Sequence, residues 1–252
     1  MTSIRTVRRW AIRVVAGVLA LCVLAVLGLV IRAKSGVMHA ESEAWESVLT
    51  DPTITVEEHA DAVVLHPAEE TTTSIGLVFY PGAKVDAAAY ARRLSGIVAE
   101  GSATVVIVKP WLRLAIVDPR GLSVFTDYSP GTESWMVGGH SMGGVRACSA
   151  AGEADALVLF GSYCAADLSD DPIPVLSLSG SEDGLSTPQK VTDAREKLPD
   201  SARMVEIPGA NHASFGDYGA QKGDGSPRIG DDQMNSTVTA ELLDFAEGVR
   251  SE

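Results

Sequence analysis

Trp135-Met136-Val137-Gly138-Gly139-His140-Ser141-Met142-Gly143-Gly144 is the stretch on which the reading of this chain turns. Three apolar residues run into glycines, and Gly139-His140-Ser141-Met142-Gly143 fits the G-x-S-x-G pattern. In that turn a strand reverses sharply into a helix and holds a serine oxygen out at the top of a sheet. The glycines have a physical task there. The serine takes strained backbone geometry, and side chains at the flanking positions would strike the incoming strand or the departing helix.

Outward from this turn, apolar β-rich stretches alternate with helical ones, the signature of a mostly parallel sheet covered on both faces. Strands are expected at 53–57 and 62–66 as an antiparallel opening pair, then at 75–80, 103–108, 135–139, 156–160, 175–179 and 203–207. Helices are expected at 86–100, with Asp86 as N-cap and Gly101 as stop, at 118–128, and at 142–152. Two more are expected at 188–198, capped by Thr187 with Pro188 first, and at 231–248. The Gly- and Asp-rich segment 209–230 is the one long loop. The fold class is therefore α/β.

The sharpest break in composition is N-terminal. Arg5, Arg8, Arg9 and Arg13 precede an uncharged stretch, 14–31, and Arg32 and Lys34 follow it. As a helix that stretch would span about 27 Å, close to the hydrocarbon thickness of a bilayer. The heavier basic charge on its N-terminal side predicts a cytoplasmic N-terminus, with the rest of the chain across the membrane. A signal peptide cleaved on export has the same layout, so secretion is the alternative. Against cleavage stand the length of the apolar stretch and Met38-His39-Ala40, a poor small-x-small site. Four regions are expected: a basic segment 1–13, an anchor 14–31, a juxtamembrane connector 32–52 with a short helix around Trp45, and a domain 53–252.

Residues 1–40 hold six of the 20 basic residues and none of the 33 acidic ones, so the remainder carries about −19. Such a surface excludes nucleic acid as a partner, since its backbone requires basic contacts, and keeps the domain soluble. Cys148 and Cys164 could pair in an extracytoplasmic compartment, or stay as two buried thiols. No cysteine spacing matches a metal site, and the spacing of Asp217, Asp224, Asp231 and Asp232 matches no calcium loop. No metal or cofactor is expected. The sequence is silent on oligomeric state.

A serine hydroxyl needs an adjacent base, usually histidine, held by a carboxylate, in the chain order Ser, acid, His. Of five histidines, His39, His59 and His66 come early and His140 abuts the serine. Only His212 follows the last expected strand, in a loop returning to the sheet edge where Ser141 emerges. Asp183, in Ser179-Gly180-Ser181-Glu182-Asp183-Gly184, is the expected acid, with Glu182 as its neighbour and competitor. Oxyanion donors are expected from the backbone amides of Met142, at a helix N-terminus, and Ala83, in Pro81-Gly82-Ala83-Lys84.

Four motifs together carry a resemblance: 79–86 (Phe-Tyr-Pro-Gly-Ala-Lys-Val-Asp), 138–144, 180–184, and Asn211-His212-Ala213-Ser214-Phe215-Gly216-Asp217-Tyr218-Gly219. They resemble a compact α/β-hydrolase, similar to the lidless bacterial branch near the dienelactone hydrolases. That resemblance spans roughly residues 53–250. It implies an eight-stranded, mostly parallel sheet and metal-free Ser-Asp-His hydrolysis. Dienelactone hydrolases carry cysteine where this chain has Ser141, so their substrate does not carry over. The short segment 162–173 leaves no room for a lid domain, and an open pocket is expected near Ala83, Lys84, Trp111, Tyr163, Leu185 and Phe215. The expected activity is hydrolysis of a small-molecule carboxylic ester at a membrane, through an acyl-enzyme. An amidase or peptidase using the same three residues is the first alternative. A silent binding protein on the same scaffold is the second.

Overall fold

A computed structural model describes residues 4–69 and 74–250 of the chain. Residues 1–3 of the basic segment and the last two residues of the 53–252 region lie outside the described residues. The chain forms two compact units, Met1–Val37 and Met38–Glu252. The first contains one helix, α1 (Ile4–Lys34), in which Arg8–Leu29 is long and apolar enough to cross a membrane.

The second unit is built on one eight-stranded sheet, ordered β1-β2-β4-β3-β5-β6-β7-β8. The strands are β1 (Ile54–Glu58), β2 (Ala62–Pro67), β3 (Ile75–Tyr80), β4 (Thr104–Val108), β5 (Ser134–His140), β6 (Ala156–Phe160), β7 (Val175–Gly180) and β8 (Arg203–Ile207). The β1–β2 and β2–β4 pairs are antiparallel, and the rest of the sheet is parallel, as the sequence predicts. Strands buried on both faces read as continuous apolar runs, and β3 shows why. Its Leu77 and Phe79 join one core while Val78 and Tyr80 join the other. Side chains alternate across a pleated strand, so each face receives its own layer.

The first core is closed by α2 (Ser42–Leu49), α3 (Ala91–Ala99) and α7 (Asp231–Arg250), through Val48, Leu94, Ile97, Val238 and Leu242. The second is closed by α4 (Ser123–Thr126) and α5 (Met142–Ala150), through Phe125, Ala147 and Cys148. Each fully buried Val, Leu, Ile or Phe among them contributes about 1.5–3 kcal/mol. Cys148 of α5 is disulfide-bonded to Cys164 in the β6–β7 connection, which settles the pairing the sequence left open.

Several expectations are corrected. Residues 38–52, expected as connector, belong to the compact unit. Met38 bridges Val85 in parallel, and the Glu41 amide donates to the Asp217 carbonyl at 2.8 Å. The apolar anchors there, Met38, Ala40, Trp45 and Val48, are too scattered to show periodicity. The helix expected from residue 86 starts with a 3-10 turn, Ala87–Tyr90. Asp86 makes no cap bond; its carboxylate lies 3.5 Å from Arg113 and 3.4 Å from His39. The helix expected at 118–128 shrinks to α4 because Pro119 holds Asp118 extended. The helix expected at 188–198 is α6 (Pro188–Asp193) followed by a separate 3-10 turn, Arg195–Lys197. Thr187 does cap α6, accepting from the Lys190 amide.

Candidate active site

Ser141 stands between β5 and α5 with φ 53° and ψ −122°, a backbone conformation that only a tightly determined turn sustains. The determination is steric. A Cβ on Gly139 would lie 2.4 Å from the carbonyl carbon of Gly143, so the strand and the helix start touch through bare backbone. The Ser141 amide donates to the Phe160 carbonyl at 3.0 Å, tying the turn to the end of β6.

Loops after β7 and β8 reach the same rim. Asp183 is buried, and its Oδ1 accepts from the amides of Leu185 (2.8 Å) and Ser186 (2.7 Å). That leaves Oδ2 for His212 Nδ1, at 2.8 Å. A carboxylate can only accept, so in the neutral ring Nδ1 carries the proton and Nε2 keeps its lone pair. His212 Nε2 is buried without a hydrogen-bond partner among the described residues, and no bond joins it to the Ser141 hydroxyl. The His212 ring lies 4.4 Å from that of His140, the residue preceding the serine. A Cβ placed on Gly161, just past β6, would lie 3.1 Å from Asp183 Oδ2 and 3.3 Å from His212 Nδ1. The geometry therefore joins Asp183 to His212 and brings both to the rim where Ser141 emerges. Glu182, the alternative acid, is instead engaged by Arg228 and Ser181.

Residues outside the four motifs hold this arrangement. Asp224 accepts from the amides of Gly184 (3.0 Å), His212 (3.1 Å) and Ala213 (2.9 Å), stapling the acid loop to the histidine loop. Buried Arg93 of α3 donates to the Ser214 carbonyl and to Asp217, at 3.0 and 2.9 Å. Asp224 entered the sequence reading only through the Gly/Asp richness of 209–230 and a calcium-loop spacing that it does not fit, and Arg93 gave no signal. Among the described residues no group of three or more His, Cys, Asp or Glu is arranged to hold a metal.

The amides of Met142 and Ala83 have no acceptor among the described residues. The Gly82 amide, by contrast, donates to the Tyr90 hydroxyl at 3.0 Å, and that hydroxyl lies 2.9 Å from His140 Nδ1. Because the hydroxyl accepts from Gly82, its own proton goes to Nδ1, and burial keeps the phenol protonated by raising its pKa. His140 Nε2 is buried without a hydrogen-bond partner among the described residues. Burial, and then neighbouring His212, pushes the His140 imidazole well below the usual histidine range. Below pH about 6.5 the unfolded chain takes up a proton that folded His140 refuses; above it both states are neutral and the cost disappears. Unfolding free energy measured by urea titration should fall on acidification below that pH, with His140 contributing up to about 1.4 kcal/mol per pH unit. His140→Gln should flatten the fall, and an unchanged slope in the variant would contradict this account.

Of the residues expected to line the pocket, Ala83, Lys84, Tyr163 and Leu185 are half-buried on loops at this edge. Phe215 is not a pocket residue: it is fully buried, with its ring 5.6 Å from Phe160, because the turn after His212 folds it into the core. Trp111 is exposed beside a cavity of about 520 Å³ that Ser141 does not line. Only residues 161–174 connect β6 to β7, too few for a lid domain inserted there.

No curated protein matches the chain. Among solved structures, TT1662 from Thermus thermophilus is 15% identical, with a TM-score of 0.56 over 79% of this chain and 99% of that one. The propionate-bound esterase Est2 from Thermogutta terrifontis is 13% identical, with a TM-score of 0.55 over 79% and 95%. Est1E from Butyrivibrio proteoclasticus is 12% identical, with a TM-score of 0.54 over 77% and 99%. Identities this low speak for a shared fold. A family profile described as "Alpha/beta hydrolase family" matches residues 76–236, and the match does not reach down to the dienelactone hydrolase branch. With this profile covering most of the chain, over the same sheet and the same strand-to-helix turn, the chain belongs to the alpha/beta hydrolase family.

Proposed function

We propose that the protein is a serine hydrolase of carboxylic esters, held at a membrane by α1. One observation carries the reading most: the 2.8 Å bond from His212 Nδ1 to buried Asp183, which leaves Nε2 free beside a strained serine turn. In this reading Nε2 takes the proton of the Ser141 hydroxyl as its oxygen attacks the ester carbonyl. Asp183 holds the ring in that tautomer and stabilises the imidazolium that forms. The Met142 and Ala83 amides receive the developing oxyanion. Collapse of the intermediate expels the alcohol, which takes the proton from His212. Water then attacks the acyl-enzyme by the same route and releases the acid. Lys84, Tyr163 and Leu185 would form the walls.

The esterase names of two structural neighbours favour esters over amides, although an amidase would use the same residues. The Cys148–Cys164 disulfide agrees with an oxidising, extracytoplasmic compartment. The test is covalent. A fluorophosphonate probe should label the full chain, with the adduct mapped by peptide mass spectrometry to Ser141. A panel of p-nitrophenyl esters should turn over and aminoacyl anilides should not. An adduct on another residue, or no adduct, refutes the assignment.

A further inference from the structure

Beside the proposed oxyanion loop the surface changes character. The Lys84 amide donates to the Arg113 carbonyl at 2.8 Å, binding that loop to residues 111–117. The 3-10 turn Ala115–Val117 packs against α5, the helix that begins at Met142. Segment 111–117 is thus tied to the loop that carries Ala83 and packs on the helix that follows Ser141. It also exposes Trp111, Ile116 and Val117 by 56%, 54% and 50%. Outside α1, the described residues expose only three other large apolar side chains, Leu49, Val124 and Met204. Leu112 and Arg113 hold left-handed φ angles of 54° and 57°, a conformation non-glycine residues seldom adopt. Clusters of exposed apolar residues mark interaction sites.

The occupant follows from where the chain enters the unit. Met38 is the first residue of the compact unit, and its carbonyl accepts from the Asp86 amide at 2.9 Å. Asp86 in turn lies 3.5 Å from Arg113, within the apolar segment. Only residues 35–37 separate Met38 from α1, whose apolar length suits a bilayer. If α1 is retained as the proposed anchor, this short connection tethers the compact unit to a lipid surface.

We propose that segment 111–117 inserts its apolar side chains into the bilayer surface, and that the mouth of the Ser141 site takes its ester from lipid. This deepens the hydrolase reading and rests on it and on the anchor. The test uses the full chain reconstituted in phosphatidylcholine–phosphatidylglycerol vesicles. Dibrominated phosphatidylcholine should quench the tryptophan emission of the wild type by a larger fraction than that of Trp111→Phe. Equal quenched fractions overturn the docking. The pair Ile116→Ser and Val117→Ser should lower hydrolysis of a vesicle-borne long-chain ester by about 10-fold or more. Hydrolysis of a soluble short-chain ester should stay within about twofold, since interfacial binding depends on buried apolar area. Parallel losses on both substrates, or none on the vesicle-borne one, overturn the proposal. If the wild type hydrolyses neither ester, the hydrolase reading has failed, and the quenching comparison still decides whether the loop meets the membrane.

Discussion

Ser141→Ala is expected to lower ester hydrolysis by about 10⁶-fold and Asp183→Asn by about 10³–10⁴-fold, with the double variant no slower than Ser141→Ala alone. The two losses differ because the roles differ. Removing the hydroxyl removes the nucleophile, and what remains is catalysis of direct water attack by the oxyanion donors. An asparagine at 183 keeps the shape but can turn its NH₂ toward His212 Nδ1. The ring then places its proton on Nε2, where the serine needs an acceptor. The network around the acid makes this a clean substitution. Oδ1 already accepts from two amides, Leu185 and Ser186, and an asparagine oxygen can do the same. That fixes the amide nitrogen on the histidine side. The saturation expected of the double variant follows from the residues acting as a unit: with no serine to deprotonate, the tautomer of His212 has little left to control. Steady-state kinetics on one p-nitrophenyl ester check all three values. Multiplicative losses in the double variant would show that Asp183 acts on another step.

The turn at Ser141 was legible because this kind of turn demands glycine wherever it occurs. Gly139 is dictated by Gly143, four residues on, and Gly143 by the backbone of the adjoining strand end, and a turn that recurs with both constraints leaves a motif. His212 could be found by elimination, since chain order and a short supply of histidines left one position after the last strand. Phe215 was misread for the opposite reason. An apolar residue three positions from a site histidine looks like pocket lining, and only the tight turn Ala213–Phe215 sends it inward. Arg93, Tyr90 and the strap at Met38–Glu41 act through contacts across long sequence separations, the Arg93–Asp217 pair among them. No periodicity records such contacts. The same holds for Asp224, whose three amide partners come from two loops. What positions the candidate site was therefore mostly hidden, while what would react in it was in view.

Gly143→Ala tests whether the two proposed oxyanion donors are held by backbone packing. A Cβ there would lie 2.0 Å from the Tyr80 carbonyl oxygen and 2.5 Å from that of Pro81. Neither atom can swing aside as a side chain would. Tyr80 ends β3, a central strand whose residues are all buried, and Pro81 opens the loop carrying Ala83. The added methyl must push α5 away from the sheet or the 81–83 loop away from α5. Either movement separates the Met142 and Ala83 amides. The expected destabilisation is about 3–5 kcal/mol, in the range reserved for severe overpacking, and the melting temperature should drop by about 10 °C. Gly152→Ala is the matched control. Nothing lies within 4 Å of its added carbon, so its effect should stay within about 0.5 kcal/mol. Thermal unfolding reads the first effect. Fluorophosphonate labelling per folded molecule reads the second and should fall in Gly143→Ala even below its melting temperature, because the probe's phosphoryl oxygen draws on the same two amides. A Gly143→Ala protein as stable as the control and labelled at the wild-type rate would mean that helix and loop do not rest on each other, and the oxyanion assignment would lose its structural basis.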